Sequence, residues 1–278
     1  VVKLTAYNKM GTTGWISDEL LSGEEKDILV DPEILLRKPI KVFKKEKNKL
    51  TCLIESPLDN IWLIKSDIIK SFYGFKPLQK LYHRFYFRNL FSKVNSLALQ
   101  GLPLSPFYAC LFQEGPIGRY YLISEGYLEC SNLALIAREN KQQFEQLIKQ
   151  GLMNQLVETL ANFHKLGYCH GDMKWSNIII LTDNDYRFID IEHLKKPIIS
   201  FRQGLYFKDL ARFIVSAYEA GLTGSQLKAI IEKYAEFRSM EYKMVVKKIQ
   251  PQIQKLSARK KINKLQSFEQ FLEIKAEN

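Results

Sequence analysis

Short apolar runs rich in β-branched and aromatic residues begin at position 40: Ile40–Val42–Phe43, Leu50–Ile54 and Ile61–Ile64. Lys, Glu and Asn separate the first two, and Ser56-Pro57-Leu58-Asp59-Asn60 the last two, so the pattern predicts a three-stranded meander. From 78 to 100 the period becomes helical, with Leu78, Leu81, Tyr82, Phe85, Leu90, Val94 and Leu97 on it; Gly101-Leu102-Pro103 stops it. Tyr108–Phe112 and Arg119–Ile123 flank Gln113–Gly118 and predict a hairpin. Residues 142–166 predict one long amphipathic helix ended by Gly167. A loop, another hairpin and mostly helix from 205 onward follow. Residues 1–39 read as a polar segment with short apolar stretches.

A strand-rich part holding one helix thus precedes a helix-rich part. The break falls near 126–131, giving an N-terminal segment (1–39), a first lobe (40–126) and a helical second lobe (127–278). The expected class is α+β with two lobes and a cleft between them, for which a nucleotide is the default ligand.

Composition narrows the partners. Of 278 residues, 46% are hydrophobic and 26% charged, enough for a sizeable core. The net charge of +11 calls for an anionic partner: nucleic acid, a membrane surface, a phosphorylated or acidic sugar, or a nucleotide. Cys52, Cys110, Cys130 and Cys169 are too far apart for a CxxC motif and read as reduced thiols. No apolar h-region opens the chain, and no apolar run approaches the ~18 residues of a membrane span. A cytoplasmic protein is expected, touching a membrane from that side if at all.

The chemistry concentrates in Tyr168-Cys169-His170-Gly171-Asp172-Met173-Lys174-Trp175-Ser176-Asn177. Phosphoryl transfer needs a carboxylate to orient the attacking hydroxyl, a cation at the γ-phosphate and oxygen ligands for Mg²⁺. Asp172 suits the first role, Lys174 the second and Asn177 the third, at the spacing of the kinase catalytic loop. In the next hairpin, Ile178–Leu181 and Tyr186–Ile189 flank Thr182-Asp183-Asn184-Asp185. If this four-residue turn sets the register, Leu181 faces Tyr186 and Asn177 faces Asp190, about 5 Å apart and able to share one metal ion. Glu192 points to the same side of an extended segment, toward a second ion. Each residue alone has a plainer reading, an Asx turn or a helix N-cap; their joint spacing favours the kinase. Lys65 ends the strand Ile61-Trp62-Leu63-Ile64 and fits the strand lysine that meets the α/β-phosphates.

With these residues in place, the chain resembles the lipopolysaccharide core kinases, the heptose and 3-deoxy-manno-octulosonate kinases, small relatives of protein kinases. His170 to Asn177 resembles their HGDxKxxN loop and Phe188-Ile189-Asp190-Ile191-Glu192 their I-D-x-D/E metal segment. Phe207-Lys208-Asp209-Leu210-Ala211-Arg212 resembles their K/R-D-L-A-R helix, and Gln100 to Pro106 their G-I-P-T-P turn. The resemblance implies a protein-kinase-like fold, ATP and Mg²⁺. It also implies phosphorylation of a lipopolysaccharide core sugar hydroxyl at the cytoplasmic face of the inner membrane. It puts the adenine against Ser124, Glu125, Gly126 and Tyr127.

Two features depart from that pattern. Lys44-Lys45-Glu46-Lys47-Asn48-Lys49 stands where a G-x-G-x-x-G turn would lie, and no Asp or Glu occurs from Ile68 to Gln113 to pair with Lys65. That stretch is basic and aromatic (Lys70, Lys76, Lys80, Arg84, Arg88 and Lys93 among Phe and Tyr), as suits either a membrane interface or a helix with one core face and one solvated face. Residues 238–264 add nine basic residues against Glu241. The competing readings are a protein or small-molecule kinase of the same fold, a nucleotide-binding pseudokinase scaffold, and a nucleic-acid binder. The last has only net charge behind it, and no nucleic-acid partner is expected.

Overall fold

The structure of the protein, a computed structural model, describes residues 4–69, 76–113, 118–182, 185–197 and 204–260; at 76–80 and 259–260 it describes the backbone alone. The tips of the turns expected at Gln113–Gly118 and Thr182–Asp185 lie outside these residues, as do Lys70, Lys261 and Lys264. The chain divides into two compact units, 1–130 and 131–278.

The first unit is built on a seven-stranded antiparallel sheet of β1 (Leu4–Lys9), β2 (Thr12–Ser17), β3 (Lys41–Lys45), β4 (Leu50–Glu55), β5 (Ile61–Ile68), β6 (Phe107–Gln113) and β7 (Arg119–Glu125). Their spatial order is β1-β2-β6-β7-β5-β4-β3. Alternation sorts the side chains. Cys52, Ile54, Trp62, Ile64, Ala109, Leu111, Tyr121 and Ile123 share a buried core with Tyr7, Ile16, Leu21 and Leu29. The helices α1 (Gly23–Ile28) and α2 (Pro32–Leu35) lie within the N-terminal segment. Ser22 and Glu25 cap α1 reciprocally, and the buried Glu25 also accepts from Ser56 and Asn60 in the β4–β5 turn.

The first 39 residues are therefore not a separate polar segment. β1 and β2 form a hairpin that extends the sheet at β6. Two things hid it. Most of β1 is not buried, so the apolar alternation is weak. Its turn residues Met10 and Gly11 both have positive φ, 46° and 79°, without the Asn-Gly or Asp-Gly pair that usually marks such a turn.

Helix α3 (Lys76–Leu99) carries both surfaces that the sequence allowed. Phe87, Phe91 and Val94 are buried, Phe87 against Phe112 and Tyr120, and Phe91 against Phe107. Leu81, Tyr82 and Phe85 stand 64–65% exposed.

The second unit holds α4 (Leu133–Glu139), α5 (Lys141–Lys149), α6 (Leu152–Lys165), α7 (Gly204–Glu219), α8 (Gly224–Phe237) and α9 (Tyr242–Lys260). A three-stranded sheet of β8 (Ser131–Asn132), β9 (Ile178–Thr182) and β10 (Asp185–Phe188) has the order β10-β9-β8. The helix expected over 142–166 is two helices, broken where Gly151 takes φ 86° and starts α6. α6 packs on α8, and α7 on α9.

Candidate active site

The segment from His170 to Asn177 alternates like a strand although it is a loop. His170, Met173, Trp175 and Asn177 are buried, while Asp172, Lys174 and Ser176 are only partly so. Trp175 is the anchor, fully buried against Phe144 of α5 and Phe213 of α7. Burying alternate side chains leaves the polar ones on the open side. Gly171 has φ 88°, and a Cβ there would lie 2.7 Å from the carbonyl oxygen of His193, so only glycine fits.

Asp172 is held from several directions. Lys174 Nζ lies 3.0 Å from its Oδ2 and Arg212 Nη1 3.6 Å from its Oδ1. Asn177 Nδ2 donates to the Asp172 carbonyl at 2.8 Å and to Oδ2 at 3.3 Å. Burial works to raise the Asp172 pKa, but Lys174, Arg212 and Asn177 outweigh it and hold the carboxyl below the ordinary Asp range. Asp172 is thus an ionised acceptor at neutral pH.

A buried carboxylate fixes the loop from behind. Asp209 on α7 has no solvent exposure and accepts the Gly171 N–H at 3.0 and 3.1 Å. One helical turn on, Arg212 donates to the Gly171 carbonyl. Asp209 and Arg212 therefore grip both sides of one residue, as an i, i+3 pair on one helix face permits. His164 of α6 lies behind Asp209. Its Nδ1 is 2.6 Å from the Tyr234 hydroxyl, and its Nε2 is 3.7 Å from Asp209, an electrostatic contact too long for a hydrogen bond. Burial lowers the pKa of His164 and of His170, so both are neutral. The neutral His170 ring donates from Nε2 to the Ile189 carbonyl and accepts the Asp172 N–H at Nδ1, joining the loop to the end of β10.

The hairpin register differs from the expectation. Asp185 pairs with Thr182, but a bulge follows, so Tyr186, Arg187 and Phe188 pair with Ile180, Ile179 and Ile178. Leu181 does not face Tyr186, and Asn177 faces Ile189, whose N–H donates to its carbonyl at 3.0 Å. Asp190 comes one residue later, at φ 60°, and leads into a 3-10 turn over Ile191–His193. Glu192 therefore sits on that turn and not on an extended segment. Asp190 and Glu192 are both partly buried. No cluster of three or more His, Cys, Asp or Glu suited to a metal occurs among the described residues. The donors present, a carboxylate at Asp190 and an amide oxygen at Asn177 whose nitrogen is engaged by Asp172, still fit Mg²⁺. That ion takes oxygen ligands and needs only one or two protein carboxylates beside phosphates and water.

In the first unit, Lys65 lies in the middle of β5, between Thr51 of β4 and Leu122 of β7. In the next strand Leu122 pairs with Cys110, so Lys65 alternates away from the Ile64–Ile123–Ala109 core and toward the sheet face that α3 covers through Phe112. The turn after β3 is tied down, with Lys49 3.3 Å from Asp67 of β5. Of the segment expected to meet adenine, Ser124 and Glu125 end β7. The Glu125 and Gly126 amides are already spent on Pro106 and Ile61 carbonyls. A Cβ at Gly126 would lie 2.8 Å from β5 backbone atoms, which keeps that position a glycine. Tyr127 donates its hydroxyl to the Glu125 carboxylate.

The sequence marks Asp209 and Arg212 only as members of the Phe207–Arg212 motif. Their i, i+3 spacing on a helix was the signal. His164 gave none, since a buried histidine on an apolar helix face looks like any core residue.

A model of the lipopolysaccharide kinase (Kdo/WaaP) family matches residues 67–234. No curated protein matches the chain. Among solved structures, the pseudokinase domain of BIR2, an immune regulator of the RLK/Pelle family, is similar at 16% identity, with 98% of this chain and 87% of that one covered and a TM-score of 0.45.

Proposed function

The chain belongs to the lipopolysaccharide kinase (Kdo/WaaP) family and is a kinase, and from that premise we propose that it transfers the γ-phosphoryl group of ATP to a sugar hydroxyl of the lipopolysaccharide core. The observation that carries this reading is the ionised Asp172 carboxylate, oriented by Lys174, Arg212 and Asn177. Asp172 accepts the proton of the attacking hydroxyl as its oxygen bonds to the γ-phosphorus. The bond from phosphorus to the β–γ bridging oxygen breaks, and ADP leaves. Lys174 lies beside the carboxylate and offers positive charge to the transferring group. Asn177 and Asp190 would hold Mg²⁺, with Glu192 serving a second ion; bound there, the ion neutralises charge on the phosphate oxygens. Lys65 pairs the α/β-phosphates, and the segment Ser124, Glu125, Gly126 and Tyr127 receives the adenine through its remaining backbone groups.

The test is transfer of labelled phosphate from ATP to purified lipopolysaccharide core, beside protein and RNA controls. Label in the core sugar is the expected result. Label in protein alone would establish the protein-kinase alternative, and ATP binding without any transfer the pseudokinase.

A specific observation favours contact with an anionic membrane surface at the cytoplasmic face. The exposed Leu81, Tyr82 and Phe85 lie on α3 near the exposed Arg88, in a stretch without acidic residues. No helix among the described residues is long and apolar enough to cross a membrane. Long-range attraction shrinks from ~10 Å at 0.1 M salt to ~3 Å at 1 M. The apparent KM for membrane-borne acceptor should climb with salt while the KM for ATP changes less. A soluble neutral acceptor used equally well at both ionic strengths would remove the membrane from the reading.

A further inference from the structure

Two neighbouring strands of the first unit bring four polar residues onto one patch of the sheet. Cys52, Ile54, Trp62 and Ile64 belong to the buried core, and Leu50 packs against it. Alternation sends Thr51 of β4, and Lys65 and Asp67 of β5, to the opposite face. Thr51 pairs with Lys65 and Leu50 with Ser66, so the next step of this antiparallel ladder sets Lys49 against Asp67. The side chains bear out that step: Lys49 Nζ lies 3.3 Å from Asp67 Oδ2. Lys49 and Lys65 are therefore diagonal neighbours on one face, with backbones roughly 7–8 Å apart.

The Lys49 ammonium has a fixed direction. Asp67 is buried, and its other oxygen accepts the Ile68 N–H at 2.8 Å, which holds the carboxylate in place. The turn before Lys49 is closed by two backbone bonds between Glu46 and Lys49, N to O at 2.9 and 3.3 Å. Arg119 of β7 reaches the Asn48 carbonyl of the same turn. Lys49 nevertheless keeps 46% of its side chain exposed. An ion pair that open is weak, and an ammonium has three N–H donors, so Lys49 can take a further anion while it keeps Asp67. The turn Lys44–Lys49 contains no glycine, and its Glu46 and Lys49 amides are spent on each other. A phosphate at this turn would have to be met by a side chain in place of those two amides.

We propose that Lys49, steadied by Asp67, binds the phosphates of the nucleotide beside Lys65. This rests on the reading of Lys65 as the lysine of the α/β-phosphates and deepens it: cations from two adjacent strands grip the polyphosphate, where a glycine-rich turn would use its backbone.

Calorimetric titration with Mg·ATP and with adenosine tests this without turnover. Lys49→Met should weaken Mg·ATP by roughly tenfold, the worth of a charge-assisted hydrogen bond, and leave adenosine unchanged. Lys49→Arg should restore most of the lost affinity. Lys45 pairs with Leu50 and so lies on the other face of the sheet. Lys45→Met removes the same charge there and should leave both ligands as in wild type. Unchanged Mg·ATP affinity in Lys49→Met, with Lys65→Met still weakening it, overturns the proposal and leaves the nucleotide site standing. An equal loss in Lys45→Met overturns it too, by reducing the effect to net charge, as does a parallel loss of adenosine, by reducing it to the fold of the turn. Wild type that binds Mg·ATP no more tightly than adenosine removes both Lys49 and the reading of Lys65 on which it rests.

Discussion

In the second unit the Asp172 carboxylate is fixed by charge: Lys174 and Arg212 at its oxygens, and the buried Asp209 on the amide of the residue before it. In the first unit Lys65 and the segment from Ser124 to Tyr127 are fixed by sheet pairing, with β5 between β4 and β7 and the Glu125 and Gly126 amides bonded to neighbouring carbonyls. The two regions differ in what a side chain contributes. Around Asp172 the identity of each charged group sets geometry, so substitution should be costly. Around Glu125 the backbone sets geometry, and most side chains there should be replaceable, Gly126 excepted.

The contrast can be broken first at Asp172. Asp172→Ala should lower kcat by about 10²–10⁴-fold while ATP affinity stays near wild type, because the proposed role of the carboxylate is to take the acceptor's proton and not to hold the nucleotide. Single-turnover kinetics beside ATP titration would show the split. Near-wild-type kcat would remove Asp172 from the mechanism. Next comes Asp209→Ala, which strands the Gly171 N–H and removes the buried negative charge beside Arg212. It should cost about 3–5 kcal/mol in urea unfolding. A loss below 1 kcal/mol would mean that charge does not fix this loop.

Asp190→Asn should weaken Mg·ATP by about tenfold or more, since even outer-shell partners of a metal matter by that factor. Calorimetry with and without Mg²⁺ reads it directly. Equal affinity in the two proteins would place the ion elsewhere.

The pH response involves both units. Burial lowers the pKa of His164 and His170 in the second unit and of His83 on α3 in the first. The unfolded chain, with His near 6.5, takes up protons that the folded chain refuses. Stability from this source is therefore complete above pH ~6.5 and declines as pH falls toward the lowered folded values. Tm should drop between pH 7.5 and 5.5, and His164→Gln should flatten the slope. A slope unchanged by that substitution would assign the acid sensitivity to other groups. The smallest effect is expected in the first unit. Lys49→Met breaks a half-exposed ion pair with Asp67 and should change stability by no more than about 1 kcal/mol.

Much of this was legible along the chain. The strands at 50–64, the 108–123 hairpin and the helix at 78–100 were legible from their apolar residues, most of which are buried, whereas the strand Lys41–Lys45 is exposed throughout and was legible only from its β-branched and aromatic residues. The family was legible in the loop from His170 to Asn177, which lies within the residues that the family model matches. The β1–β2 hairpin was not, because Met10-Gly11 adopts a turn that its residues do not advertise. The break at Gly151 was also missed, since the apolar period continues across it from Leu147 to Leu152 and Leu156.

The sequence by itself determined the alternation of strand-rich and helix-rich parts and the family to which the loop from His170 to Asn177 points, because both rest on periodicity and residue type within short windows. Only the tertiary structure decided how those residues are aimed. One bulge after Asp185 puts Ile189 rather than Asp190 opposite Asn177, since strand register depends on every residue of the turn. Only the packing of α7 brings Asp209 and Arg212, 37 and 40 positions after Asp172, onto Gly171 and Asp172. A buried charge finds its partner through space, and spacing along the chain carries no record of that distance.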